Sequence, residues 1–226
     1  MTKVVICTSP RPEKYVYRTV NNIKEQIPIH LFANGNDISY LNELSLDPRI
    51  NITQVPFLGT NILPNQVENY KRCLSEGYVE GEKGILIFED DVKFATGWRK
   101  RFESVVLDLE SKCGEKFALS LFTALPLCLP SNLPPEHYVS VPSYRFYGLQ
   151  GMYYPNFVRK ELVEYLEKTK KAETINHDII IKEYFIESNI PIFVTIPCLV
   201  NHIGYTSSWK KSCVIRVATI FHSVVD

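Results

Sequence analysis

Three consecutive carboxylates, Glu89-Asp90-Asp91, follow directly on the apolar run Ile85-Leu86-Ile87-Phe88. Like charges that close repel, and each raises its neighbour's pKa unless something neutralises the group. A hard divalent cation, Mg2+ or Mn2+, offsets the repulsion by taking carboxylate oxygens and sharing its remaining positions with substrate phosphates. Side chains alternate along a strand, so Glu89 and Asp91 leave on one face and Asp90 on the other, while the strand end lets all three line a crevice. In open α/β sheets that crevice, outside the carboxyl ends of the strands, is where ligands bind. The plainer alternative is a solvated turn in which one Asp caps the following helix. Asp178, in Asn176-His177-Asp178 at the start of an expected helix, has a capping role available as well, because a carboxylate there meets orphan N–H groups and the positive dipole end. His202, after Leu199-Val200, is by position alone a structural histidine.

The elements that must hold these groups follow from hydrophobic patterning. Short apolar runs alternate with amphipathic segments, which predicts an α/β chain with a mostly parallel central sheet flanked by helices. Strands are expected over 4–7, 29–33, 50–55, 85–88, 117–122, 144–154 and 191–196, and helices over 14–26, 65–75, 97–111, 156–171 and 178–188. Pro10 and Pro12 end the first strand, Asn34-Gly35-Asn36-Asp37 is a turn, and Gly77 suits a helix C-cap. The stretch 126–142 holds five prolines and reads as an extended loop. Neither an internal repeat nor a linker divides the chain, which reads as one domain over 1–226.

Composition narrows the class. The 226 residues carry 25 Lys+Arg against 25 Asp+Glu, with 45% hydrophobic and 22% charged residues, 10 Gly and 14 Pro. Those values exclude a disordered or collagen-like chain, and zero net charge argues against a nucleic-acid binder, which needs clustered cations. The six cysteines (Cys7, Cys73, Cys113, Cys128, Cys198, Cys213) show no metal-ligand spacing, which fits reduced thiols in a cytoplasmic protein. No apolar run reaches the roughly 18–20 residues that span a bilayer, and the N-terminal run is too short for a signal-peptide core. Trp209-Lys210-Lys211 and Arg216 precede an apolar tail; they are either a peripheral contact with the inner face of a membrane or, more plainly, a solvated basic face.

Ile85 to Asp91 resembles the strand and DXD-type motif of nucleotide-sugar-dependent glycosyltransferases of the GT-A fold, a Rossmann-like architecture. Other pieces fall in matching order. Val4-Val5-Ile6-Cys7-Thr8-Ser9-Pro10-Arg11, with Tyr15 and Thr19, is similar to the first strand and nucleotide-binding loop. Leu31 to Asp37 resembles the second strand, Tyr147 to Pro155 the strand lining the sugar and acceptor pocket, and Pro197 to Gly204, with Ser207 and Ser208, the segment that brings a histidine to the metal. The resemblance implies a nucleotide-binding half over 1–95 and an acceptor-binding half over 96–226. It implies Asp91 and His202 as metal ligands for Mn2+ or Mg2+. Glu89 and Asp90 would accept hydrogen bonds from ribose and donor-sugar hydroxyls, Thr8, Arg11, Asn34 and Asn69 would line the nucleotide, and Gln150 and Gly151 the donor sugar. Asn34 stands where the family often has an acidic residue. Asp178 would be the catalytic base of an inverting transfer, with His177 a weaker alternative, and Lys210 or Lys211 would meet the leaving phosphate. The segments 126–142 and beyond His202 would supply a closing lid. His30, His137 and His222 are read as structural or exposed. The donor implied is a nucleotide sugar, a UDP-sugar first, and the acceptor a glycan or lipid-linked saccharide. A sugar-phosphate nucleotidyltransferase and a noncatalytic nucleotide-sugar binder are the alternatives; the former usually opens with a Gly-rich phosphate loop, whereas 8–13 contains no glycine.

Overall fold

Non-alternating apolar strands are stable only when both faces are covered, and that requirement organises the chain. The computed structural model describes residues 3–124, 137–204 and 218. Its strands are β1 (Val4–Thr8), β2 (Ile29–Asn34), β3 (Ile50–Val55), β4 (Gly84–Glu89), β5 (Val92–Phe94), β6 (Ala118–Ser120), β7 (Tyr138–Val141), β8 (Gly151–Pro155), β9 (Ile192–Thr195) and β10 (Val200–His202). Its helices are α1 (Tyr15–Asn22), α2 (Ile62–Glu76), α3 (Trp98–Cys113), α4 (Asn156–Lys168) and α5 (His177–Ser188).

Eight strands form one sheet in the order β3-β2-β1-β4-β8-β6-β9-β7, and β10 pairs with β5 in a separate ribbon. Strands β3, β2, β1 and β4 are mutually parallel; β8 and β7 are the two that run against the rest. The architecture is thus mixed α/β with a mostly parallel sheet, as the patterning predicts. Alternation along β1 sends Val4 and Ile6 to one face, where Val16 and Val20 of α1 and Trp98 and Phe102 of α3 pack. Val5 goes to the other face with Ile85 and Ile87, beneath Tyr70, Val158 and Phe185 from α2, α4 and α5. Gly151 is opposite Phe88 in the β4–β8 pair, and a Cβ there would stand 2.9 Å from the Phe88 ring.

Several expected boundaries change. The helix expected over 14–26 ends at Asn22, because Ile23 is extended and Arg49 Nη1 donates to the carbonyls of Ile23 and Glu25 at 3.2 Å. The strand expected over 144–154 is two things: a 3-10 turn over Ser143–Arg145 with Tyr144 and Tyr147 exposed, then β8. Gly148 separates them at φ +91, which no strand residue adopts. The proline-rich stretch 126–142 is not all loop, since Tyr138–Val141 pairs antiparallel with β9; residues 126–136 lie outside the described residues. Pro64 is the third residue of α2 rather than preceding it, tolerated because the first-turn N–H groups have no helical partner. Gly77 caps α2 at φ −71, and it is needed for room, because a Cβ would collide with the Cys73 carbonyl. Among the described residues no helix is long and apolar enough to cross a membrane.

Candidate active site at the carboxyl ends of β1 and β4

Parallel pairing sets Cys7 beside Glu89, so the residues that follow each strand meet at one edge of the sheet. Thr8, the last residue of β1, donates its hydroxyl to Asp90 Oδ2 at 2.6 Å. The next loop presents Arg11, whose Nη1 donates to Asp91 Oδ2 at 2.7 Å and whose Nη2 donates to Asp90 Oδ1. Thr19 of α1 closes the turn from within, its hydroxyl 2.7 Å from the Asp90 carbonyl and accepting from Val92 N–H at 3.1 Å. Asp90 and Asp91 are 2% and 3% exposed, which rules out the solvated turn.

His202 arrives by pairing rather than by sequence proximity. In the β10–β5 ribbon it stands opposite Val92, and Ile203 N–H donates to the Asp91 carbonyl at 2.8 Å. That register leaves His202 Nε2 3.2 Å from Asp91 Oδ2. Gly204 is required alongside, since a Cβ there would collide with the Asp91 carboxylate. On the other side Gln150 donates from Nε2 to Glu89 Oε2 at 3.1 Å and accepts from Glu89 N–H through its backbone carbonyl.

The charges divide the three carboxyls. Burial pushes Glu89 up to about 7, with the Asp91 charge adding to it. Asp90 is pushed up to about 6 by burial, against the pull of Arg11. Burial acts on Asp91 too, but the His202 hydrogen bond and the Arg11 charge together outweigh it and hold that carboxyl below its ordinary value. Reciprocally, burial would lower His202, yet its bond to Asp91 and the charges of Asp91 and Glu89 leave it raised. The Arg11 guanidinium is likewise raised despite burial, because Asp90 and Asp91 favour its charged form.

The donor set suits a cation. One ligand atom from each of Glu89, Asp91 and His202 lies within 4.8 Å of the others. Asp91 Oδ1 is buried with no hydrogen-bond partner among the described residues, and a cation would complete it. Two carboxylate oxygens and an imidazole are a donor set for a divalent cation. Glu89, expected only to accept from the donor, therefore stands as a third candidate ligand.

Asp178 is the second residue of α5, where its Oδ1 lies 3.0 Å from Ile179 N–H, and its charge acts on Glu89. His177 beside it has its ring 5.5 Å from that of Tyr70, and burial holds it low and neutral. Asn34 is buried and donates to the Val55 and Asn65 carbonyls, while Asn69 donates to Cys7 Sγ at 3.0 Å and reaches the Thr8 and Phe32 carbonyls. Both amides tie neighbouring strands and α2 together behind the carboxylates' edge of the sheet. Asn65, which the sequence reading passed over, accepts from Leu58 N–H at 2.6 Å and donates to the Gly59 and Asn61 carbonyls, shaping the loop before α2. The four-residue spacing of Asn61, Asn65 and Asn69, a polar stripe on one helix face, was its signal. Ser207, Ser208, Trp209, Lys210, Lys211, Arg216 and His222 lie outside the described residues.

No protein-family model matches the chain, and no curated protein matches it. Among solved structures it is similar to the inositol-1-phosphate CTP transferase from T. maritima, with TM-score 0.50, 12% identity and coverage of 86% of this chain and 85% of that one. The 4-diphosphocytidyl-2C-methyl-D-erythritol synthase from Anaerococcus prevotii DSM 20548 follows at TM-score 0.49 and 14% identity, covering 86% of each chain. The galactosyltransferase LgtC, in complex with donor and acceptor sugar analogs, is similar at TM-score 0.47 and 10% identity, over 81% of this chain and 70% of that one. At 12% identity and TM-score 0.50, the likeness to the CTP transferase is one of fold, a Rossmann-like α/β sheet.

Proposed function

We propose that the chain is a metal-dependent glycosyltransferase that moves a sugar from a nucleotide-sugar donor, a UDP-sugar first, to a hydroxyl of a glycan or lipid-linked saccharide. The observation that carries this reading is the convergence of Glu89, Asp91 and His202 on one point beside Thr8, Arg11 and Asp90. Residues 1–95 supply the nucleotide side and 96–226 the acceptor side of one domain. Asp91 and His202, with Glu89, would hold Mn2+ or Mg2+, which supplies positive charge against the diphosphate that departs. Asp90 accepts hydrogen bonds from the ribose, Glu89 is oriented by Gln150, and Gly151 lines the donor side with Gln150. Asn34 and Asn69 form the floor under the base. As the donor C1–O bond breaks, a hydroxyl oxygen of the acceptor bonds to C1 and Asp178 takes its proton, inverting the anomeric centre. Contact of the basic segment around Trp209 with a membrane belongs to the same proposal.

The second reading, a sugar-phosphate nucleotidyltransferase, is favoured by the fold shared with the CTP transferase. Against it, 8–13 lacks the glycines of a phosphate loop. Turnover separates the two. Nucleoside diphosphate release from a panel of nucleotide sugars with Mn2+ is expected; pyrophosphate release from CTP or UTP with sugar phosphates would replace the first reading by the second. Asp178→Asn is expected to lower the transfer rate by about 10²-fold or more with donor affinity retained, and undiminished turnover would remove Asp178 from the mechanism.

A further inference from the structure

Asp91 Oδ2 has two neighbours that favour the same electrical role. Arg11 Nη1 donates to it at 2.7 Å, and His202 Nε2 stands 3.2 Å away. The guanidinium also spans the cluster, since Nη2 holds Asp90 Oδ1. Its side chain is 14% exposed, so water screens it little. Pro10 and Pro12 flank Arg11 and restrict the backbone on both sides, so its long side chain is the part free to change partner. A divalent cation seated on the open Oδ1 of Asp91 would stand within a few ångströms of the guanidinium on Oδ2 of the same carboxylate. Two centres of positive charge on one buried carboxylate repel strongly, because the surroundings screen them weakly.

We propose that Arg11 is the resident counter-ion of the acidic cluster and a positioning residue for it. It competes with the divalent cation for the charge of Asp91, and once displaced it pairs with the donor's diphosphate, so that cation and nucleotide bind cooperatively through one side chain. The inference rests on the metal-dependent reading above. Guanidinium and diphosphate suit each other, since the planar fork donates two parallel hydrogen bonds to phosphate oxygens. Coupling of this kind is reciprocal, each ligand raising the affinity of the other by one factor.

Isothermal titration of the full chain with Mn2+, alone and with UDP present, tests it. In the wild type UDP is expected to tighten Mn2+ binding by about 10-fold or more, and Mn2+ to tighten UDP binding by the same factor. Arg11→Gln is expected to bind Mn2+ alone at least about 5-fold tighter than the wild type, with most of the coupling to UDP lost. A merely structural arginine would do the opposite, weakening Mn2+ binding along with the fold. Should Arg11→Gln not fold, Arg11→Gln with Asp90→Asn removes one charge of each sign, keeps Glu89, Asp91 and His202, and is expected to show the same tightening. Wild-type Mn2+ binding with no tightening in the folded variant overturns the proposal alone. No Mn2+ binding by either protein, with or without UDP, overturns it together with the metal-dependent reading.

Discussion

His30 in β2 and His202 in β10 are both strand histidines with most of the ring covered, and their surroundings are opposite. His30 has both nitrogens engaged, Nε2 at 2.8 Å from Thr53 Oγ1 and Nδ1 at 3.1 Å from Lys3 Nζ, with Phe32 against its ring. Burial and then the Lys3 charge hold it down to about 4, so it is neutral in the fold. His202 faces Asp91 and Glu89, is raised rather than lowered, and keeps Nδ1 without a hydrogen-bond partner among the described residues. A saturated, neutral ring serves packing. A ring with an open nitrogen beside two carboxylates is one that a ligand can still complete.

The largest expected effect that sharpens this contrast is at the carboxylate. Asp91→Asn is expected to weaken Mn2+ binding by about 10²-fold or more, since losing even an outer-shell partner of a metal ligand costs 10–100-fold; calorimetry giving an unchanged affinity would remove Asp91 from the ligand set. The histidines should then trade places between two assays. His202→Ala is expected to cost about 10–100-fold in Mn2+ affinity with little change in the urea midpoint. His30→Ala is expected to leave Mn2+ affinity alone and lose about 1–3 kcal/mol of stability, the cost of a cavity and two broken buried hydrogen bonds. If His30→Ala impaired metal binding and His202→Ala only stability, the contrast would be broken.

The smallest effect is in pH. An unfolded histidine protonates near 6.5 and His30 in the fold near 4, so the unfolded chain binds more protons between those values and stability falls as pH drops through that window. His202 has the opposite sign: its folded value is raised, so its contribution is present below about 6.5 and is lost as pH rises through the folded value. Relative to the wild type, urea midpoints of the metal-free protein should therefore fall less as pH drops from about 6.5 to 4 in His30→Gln, and fall less as pH rises above about 6.5 in His202→Gln. Equal slopes in both variants and the wild type would contradict the assignment.

How legible the molecule was in its sequence follows the same division. Strands β1, β2 and β4 were readable because their burial on both faces makes each a largely apolar run, and the acidic edge was readable because Glu89-Asp90-Asp91 has no apolar reason to follow one. Strands β5, β7 and β10 were missed or read as loop: each has three or four residues, too few for a period, and each owes its strand geometry to a partner distant in the chain. The stretch 144–154 was misread because its aromatics look like strand residues, while the left-handed Gly148 and the exposed Tyr144 and Tyr147 are properties of a turn that only packing reveals.

The sheet's parallel core, the faces its strands bury and the three carboxylates where one of those strands ends are legible along the chain, because each depends on sequence neighbours. Which groups answer those carboxylates was decided only by tertiary structure. Arg11 comes from 80 residues away and His202 from 111, and their approach depends on the β1–β4 pairing, the β5–β10 register and the space left at Gly204. Opposite charges meet at a few ångströms only when the backbone has already paid the entropy of bringing them there.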